Sequence, residues 1–418
     1  MAEDIKVVPK GWRRVRLGDV LDYEQPQRYI VKSEKYDDRH GTPVLTPGKA
    51  FILGFTDETT GIFEEVPVII FDDFTTESRY VIFPFKVKSS ALKVLKLKDR
   101  NSNLYFLYNI MQILNFKPGS EHKRFWISEY SKINILIPPL PEQRKIAEIL
   151  ETVDNAIEKT DAIIEKYKRI KQGLMQDLLT RGIAESDELG VMSYELRDEK
   201  KHRFKDSPLG RIPEEWEVVE LGEVVESFAG GTPNRENKEF FSGSIKWLKS
   251  GEINRKYIYD TEEKITMKGF KFSSTKWIER NTVVIALYGA TAGQVGIVKD
   301  KMTMNQAVLA LNTFKNKLNY EYIYYYLSAY VPKILSQLQG SGQPNLSKKI
   351  IDTIQIPLPP LPEQKRIASI LSQIDEVIEK EQKYKEKLER IKKGLMEDLL
   401  TGKVRVLGVM NYELGVKS

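Results

Sequence analysis

Cysteine is absent from the 418-residue chain, and histidine occurs only three times. The first absence excludes a disulfide framework and any thiolate metal site, and makes a reducing compartment the expected one. His40, His122 and His202 have no metal-ligand spacing, so each reads as a surface or loop histidine. No apolar run approaches the roughly 18 residues of a membrane span, and the N-terminal MAEDIKVVPKGW has no apolar signal-peptide core. A cytoplasmic protein with no membrane partner is expected. Motifs for catalysis are missing too. TPGKA lacks the first glycine and the hydroxyl of a G-x-x-x-x-G-K-[ST] phosphate loop, no G-x-G-x-x-G opens a helix, and no G-x-S-x-G elbow occurs. The adenine-methyltransferase tetrapeptide Asn/Asp-Pro-Pro-Tyr/Phe is absent, since IPPL at Ile137 lacks both its polar and its aromatic ends. The carboxylates Asp72 and Asp73 read as a strand-end turn rather than an acid–base pair. No catalytic residue, metal or cofactor is therefore assigned to this chain.

What the chain does have is charge of both signs. Lys and Arg number 65, Asp and Glu 59, for a net charge of +6. Residues 1–137 hold 21 basic and 18 acidic side chains, and residues 208–356 hold 19 and 16, so each half carries +3. That is compatible with nucleic acid but makes no polybasic clamp. A DNA ligand would have to meet local patches, with help from another subunit.

An internal repeat organises the rest. PPLPEQRKIAEIL starts at Pro138, and PPLPEQKRIASIL starts 221 residues later at Pro359. Set residue for residue, 138–183 and 359–404 agree at 26 of 46 positions. Weaker echoes precede each copy: VPKGWRRVRLGDV at Val8 and IPEEWEVVELGEV at Ile212 share Pro, Trp, Val, Leu and Gly in register. LGVMSYEL at Leu189 returns as LGVMNYEL at Leu407. The expected order is a globular domain over 1–137, a long helix over 138–183, a polar linker over 184–207, a second globular domain over 208–356, a second helix over 357–404 and a tail over 405–418. The linker's alternative reading is one further surface helix.

Pro141 and Pro362 suit a first helical turn, where a missing N–H costs nothing, and Glu142 and Glu363 suit the positive end of the helix dipole. Apolar residues then recur in a 4-3 rhythm: Ile146, Leu150, Val153, Ile157, Leu174 and Leu178, and again Ile367, Leu371, Ile374, Ile378, Leu395 and Leu399. Thr160, Lys171, Glu381 and Lys385 interrupt this seam. A neighbouring row (Ile149, Ala156, Ile163 and Ile170, with Ile370, Val377, Tyr384 and Ile391) widens the stripe. A helix of about 40 residues is about 60 Å long and cannot bury such a stripe alone. Two copies in one chain bury each other. Antiparallel pairing is favoured over parallel, because each globular domain immediately precedes its helix and a parallel pair would crowd them. The alternative is that each helix packs only on its own domain. The expected fold is α+β: two similar globular domains separated by an antiparallel two-helix coiled coil, with pseudo-two-fold symmetry.

Both globular halves mix strands such as VPVIIF (66–71) and NTVVIALYG (281–289) with helices near 105–114 and 320–338. Small and polar loops follow the strands. Those in the first half offer Thr75, Thr76, Arg79 and Tyr80, then Lys123 and Arg124, with Lys49 in TPGKA. The second half offers Thr232 and Arg235 in AGGTPNRENK, then Lys249, Tyr288, Thr291 and Gln294, and finally Ser341 and Gln343 in GSGQPNLSKK. Such side chains contact base edges or phosphates, and glycines let backbone approach a ligand. Ordinary hairpin turns are the alternative at each loop. The loops diverge between the halves while the helices do not, as two different reading heads on one repeated mount would.

Taken together, the doubled PPLPEQ, the helix ends GLMQDLLT and GLMEDLLT, the GGTP segment and the stretch from Gly289 to Val308 (GATAG…MNQAV) resemble the specificity subunits of Type I restriction–modification enzymes. The resemblance covers nearly the whole chain, although the first half lacks GGTP and ATAG. It implies two target-recognition domains, each reading half of a bipartite double-stranded DNA sequence. It implies helices that act as spacer and bind the modification (methyltransferase) subunits, and a restriction subunit that joins as an ATP-dependent translocase and nuclease. S-adenosylmethionine, ATP and Mg are then expected in the partner subunits. The other classes compatible with a two-headed rod are a protein–protein adaptor and a stand-alone DNA-modifying enzyme.

Overall fold

The computed structural model describes residues 8–47, 50–116, 124–188, 191–338 and 345–406. The chain divides into two units, Met1–Ala162 with Lys383–Ser418, and Ile163–Gln382. Each unit holds one globular head and parts of both long helices, Leu140–Thr180 and Leu361–Leu399.

In unit 1 the head is built on an antiparallel sheet ordered Leu21–Glu24, Leu92–Leu97, Val68–Asp72, Ser78–Val81. The strand Val68–Asp72 is buried throughout, and its apolar run Val68–Phe71 suits a central strand. A smaller sheet joins Ile52–Thr56, Thr42–Leu45 and Lys86–Val87. Helix Leu104–Ile113 starts where the Asn103 side chain accepts the Phe106 N–H at 2.8 Å. Strand Arg13–Arg16 pairs with Asn134–Ile137, which feeds directly into the first long helix. Trp12, Phe71, Phe106 and Trp126 share one core with Ile146 and Leu150 of that helix and with Leu399 of the second.

Unit 2 repeats the plan. Its main sheet runs Val225–Ala229, Val308–Thr313, Val283–Ala286, Val295–Val298, Tyr257–Ile258. A second sheet runs Lys264–Ile265, Phe241–Leu248, Met302–Met304, Trp277–Ile278. Helix Tyr320–Leu338 is capped by Asn319, and Glu217–Glu220 pairs with Gln355–Leu358 just before the second long helix. Trp216 shares a core with Leu178, Ile367 and Leu371.

The repeated Pro-Glu-Gln now has a physical reason. Gln143 is buried; its Oε1 accepts the Asn103 N–H at 2.9 Å, and its Nε2 donates to the carbonyls of Pro138 (2.8 Å) and Asn101 (3.2 Å). Gln364 does the same with the Asn319 N–H (2.8 Å) and the carbonyls of Pro359 (2.8 Å) and Lys317 (2.9 Å). Each glutamine thus locks the cap of a head helix to the start of a long helix. Each glutamate is also paired. Glu142 accepts Arg405 Nε at 2.7 Å and Nη2 at 2.8 Å. Glu363 takes Arg197, the Trp216 Nε1–H at 3.1 Å and the Ile183 N–H at 2.9 Å. In each unit the segment following one long helix seals the first turn of the other.

The long helices pair antiparallel, as expected. In unit 1, Lys392 meets Asp154 at 2.5 Å and Lys385 meets Asp161 at 2.7 Å, so the second helix runs back as the first runs forward. In unit 2, Lys171 meets Asp375 at 2.6 Å, while Leu178, later in the first helix, shares a core with Ile367 and Leu371, earlier in the second. Of the seam residues, Ile146, Leu150, Leu178, Ile367, Leu371 and Leu399 are buried, and Val153, Ile157, Leu174, Ile374, Ile378 and Leu395 are half-buried. The polar interruptions Lys171 and Lys385 are where cross-helix ion pairs form.

A tyrosine of each head joins these pairs. Tyr105 donates to Asp154, and Tyr325 donates to Asp375 at 2.6 Å. Burial first, and the neighbouring carboxylate second, push both phenols far above their ordinary range. Lys256 of the second head also reaches Asp375, at 3.3 Å, and burial lowers its ammonium pKa. Tyr105→Phe is expected to lower the stability of unit 1 by about 1.5–3 kcal/mol, the usual worth of a hydrogen bond to a charged group. Urea unfolding checks it; a loss below about 0.5 kcal/mol would mean the bond fastens nothing.

The stretch 184–207, expected as a polar linker, carries paired strands: Ile183–Glu188 with Val191–Leu196, and Phe204–Ser207 with Gly210–Pro213. The pairing is made by backbone, and Ile183 at its start joins the unit 2 core with Leu196 packed against it. In the tail over 405–418, Arg405 and Val406 pack into unit 1, and the remainder lies outside the described residues.

Candidate DNA interface

The loops that carry polar side chains follow the central strand of each main sheet. In head 2 the turn after Val283–Ala286 is pinched by Gly293 N–H to the Ala286 carbonyl (2.8 Å) and Ala286 N–H to the Gln294 carbonyl (2.9 Å). Gly293 has φ +83°, and a Cβ there would stand 2.3 Å from Leu335, so only glycine lets the turn lie on helix Tyr320–Leu338. Tyr288 is exposed at the tip, and Thr291 is tied back to the Ser250 carbonyl at 3.1 Å. Gln294 is exposed but lines a cleft of about 660 Å³ beside the long helices with Lys171 and Asp375, away from the tip.

GGTP and MNQAV, distant in sequence, meet in space. Gly231 N–H donates to the Met304 carbonyl at 3.0 Å, and the Thr232 hydroxyl donates to Gln306. The glycines are required by close approach: a Cβ on Gly230 would lie 2.1 Å from the Met304 carbonyl oxygen, and one on Gly231 would lie 2.2 Å from Ser274. Gln306 is exposed and was not among the sequence candidates, although MNQAV was the signal that pointed to it. Arg235 and Lys249 are neutralised in place. Arg235 lies over Phe241 and Trp247 and pairs with Glu263 at 2.9 Å, and Lys249 lies between Glu262 (3.3 Å) and Glu263 (3.7 Å).

Head 1 builds the equivalent turn without glycine. Asp72 accepts the Phe74 N–H at 3.0 Å and the Thr75 hydroxyl at 2.6 Å, and the Thr76 N–H reaches the Asp72 carbonyl at 2.9 Å. Thr76 takes φ 62°, a left-handed value that this bonding holds in place. The strand-end reading of Asp72 and Asp73 therefore describes their place, and the carboxylates organise the loop. Thr75, Arg79 and Arg124 are exposed. Tyr80 alternates to the opposite face, packs on Tyr105 and Tyr108, and has its phenol pushed up by burial. Lys49, Lys123, Ser341 and Gln343 lie outside the described residues. Among the described residues, no group of three His, Asp or Glu side chains is placed to hold a metal ion, and no helix is long and apolar enough to cross a membrane.

The model of the Type I restriction modification DNA specificity domain matches this chain twice, over residues 9–168 and 213–390. Each match covers one head and most of the long helix that follows it. The chain belongs to the Type I restriction–modification specificity subunit family. It is 33% identical over 370 residues to the Type I restriction enzyme EcoR124I/EcoR124II specificity subunit of Escherichia coli, covering 86% of this chain and 85% of that one. To the MjaVIII specificity subunit of Methanocaldococcus jannaschii it is 30% identical, over 96% and 94% of the two chains. Among solved structures, the S subunit of the Type I restriction–modification system from M. genitalium shares the fold, with TM-score 0.64, 17% identity, and coverage of 94% and 96%. A chain solved in a study of complex assembly and conformational transition of the Type I system gives TM-score 0.52 at 18% identity, covering 95% and 100%. A specificity subunit has a recognition role rather than a catalytic one. Its two specificity domains here share one mount and differ in their loops.

Proposed function

We propose that each head reads one half of a bipartite double-stranded DNA target, with the two long helices as spacer and as docking surface for modification subunits. The observation that carries this is the contrast within the repeat. Mount residues such as Gln143 and Gln364 make the same bonds, while the turns above them are built differently, one on Asp72 and one on Gly293. Unlike loops on like mounts make an asymmetric target. Apolar residues left exposed on the helices, Ile163 and Ile170 in unit 2 and Tyr384 and Ile391 in unit 1, support a docking role. The modification subunits would use S-adenosylmethionine to methylate adenine, and a restriction subunit using ATP and Mg would complete the assembly, all in the cytoplasm.

The test is methylome sequencing of a host carrying this chain with its partner subunits. A methylated motif of two unlike half-sites and an unread gap is expected; absence of any enriched DNA sequence, with the complex assembled, would favour a protein–protein adaptor. Methyl transfer by the purified chain alone would favour a stand-alone enzyme. Affinity gives a second check. Each half carries only +3, and Lys249 and Arg235 already hold carboxylates. The isolated chain is expected to bind DNA weakly and with few phosphate contacts, so its salt slope should be shallow and should steepen when modification subunits are added. Tight binding that resists salt, by this chain alone, would contradict the division of labour.

A further inference from the structure

The two heads fill one equivalent place with opposite chemistry. Phe71 stands opposite Lys93 in head 1, and Ile285 stands opposite Leu309 in head 2, each on the central strand pair of its main sheet. The next residue on the central side is Asp73 in head 1 and Leu287 in head 2. Backbone bonds confirm the match. Asp73 N–H donates to the Ala91 carbonyl (3.0 Å) and Leu287 N–H to the Ala307 carbonyl (2.8 Å). The Asp73 carbonyl accepts the Phe125 N–H (2.9 Å), and the Leu287 carbonyl accepts the Leu346 N–H (2.8 Å). Head 2 completes this place with two buried leucines. Head 1 completes it with an ion pair, Lys93 Nζ 3.1 Å from Asp73 Oδ2, both side chains 0% exposed.

Removing two charges from water costs several kcal/mol per ion, and a well-packed apolar pair is commonly as stable or more so. Head 2 demonstrates within the same chain that this mount accepts the apolar pair. Stability therefore does not account for the ion pair. What aspartate adds and leucine lacks is a directional acceptor: Asp73 Oδ1 takes the Trp126 N–H at 2.8 Å. That bond fixes the segment that carries exposed Arg124 against the turn that carries Thr75. Lys93, lying 4.7 Å over the Tyr23 ring, stands against the other carboxylate oxygen, Oδ2.

We propose that Asp73 and Lys93 are a positioning pair for DNA recognition by head 1: they set which bases its half-site accepts, and folding does not require them. This rests on the reading of head 1 as a DNA-contacting domain. The experiment uses the complex with modification subunits and scores both half-sites in the same methylome reads, with a urea unfolding curve for each variant. D73L/K93L, which copies head 2, is expected to fold. Its methylation should discriminate about tenfold less against single mismatches in half-site 1, in line with the loss of one good base contact, and be unchanged at half-site 2. D73N/K93L keeps an acceptor for the Trp126 N–H without the charges, and is expected to restore discrimination at half-site 1. Half-site 1 left as sharp in D73L/K93L as in wild type would overturn the proposal. So would failure of D73L/K93L to fold, or equal loss of discrimination in D73N/K93L. Failure of the underlying reading looks different, because the wild-type complex would then show no bipartite motif at all.

Discussion

Glu363→Ala is expected to destabilise unit 2 by about 3–5 kcal/mol, the range for breaking a buried ion pair from one side. The carboxylate serves three separate elements. It holds Arg197, whose side chain is 8% exposed, together with the indole N–H of Trp216 and the backbone N–H of Ile183. Burial opposes the Arg197 charge, but Glu363, and to a smaller extent Glu215, outweigh it and raise the guanidinium pKa. Alanine would leave the indole and the amide without their acceptor, and Arg197 with the half-exposed Glu215 at 2.7 Å and the Arg181 carbonyl at 3.4 Å. The equivalent Glu142→Ala should cost less, about 1.5–3 kcal/mol, because Arg405 is 32% exposed and can turn to water. Urea unfolding gives the totals, and hydrogen exchange places them. Amides of the hairpin 183–196 should lose protection in Glu363→Ala while those of head 1 keep theirs. A cost below 1 kcal/mol, or equal costs for the two glutamates, would show that this junction does not hold the second long helix as described.

The helices were legible because proline in the first turn and a 4-3 apolar rhythm act within a few residues. Their antiparallel pairing followed from the repeat and from the order of heads and helices along the chain. The partners were not legible. Nothing near Glu142 points to Arg405, 263 positions away, and nothing in the 4-3 rhythm says that Lys392 would choose Asp154. Lys171 and Lys385 read as interruptions of the seam and are instead part of its register. The strand pairs between 183 and 213 were hidden by charge, since ribbon pairing is made by backbone. In the candidate interface, sequence found the loops but not the direction of each side chain. Tyr80 and Arg79 are neighbours on a strand and face opposite ways, and the Thr232–Gln306 contact joins residues 74 apart. The buried Asp73–Lys93 pair was visible only as two charges in apolar runs, one of them read as part of a turn.

If the helix pair sets the distance between the half-sites, lengthening it must lengthen the gap between them. One heptad adds about 10 Å to a helix, close to three base pairs of B-DNA at about 3.4 Å each. Inserting a heptad in both helices, after Ala162 and after Gln382, keeps the seam's period and preserves Lys392–Asp154 on one side and Lys171–Asp375 on the other. An insertion in one helix only would offset these pairs by seven residues, and that variant should fail to assemble a functional reader. DNA turns once in about 10.5 base pairs, so the longer gap also rotates the half-sites and overall methylation should fall. The decisive quantity is the motif itself, read from the methylome of a host that carries the doubly lengthened chain and its partner subunits. Both half-sites should keep their bases, with a gap about three base pairs longer than in the wild type. An unchanged gap in that motif would contradict the spacer role.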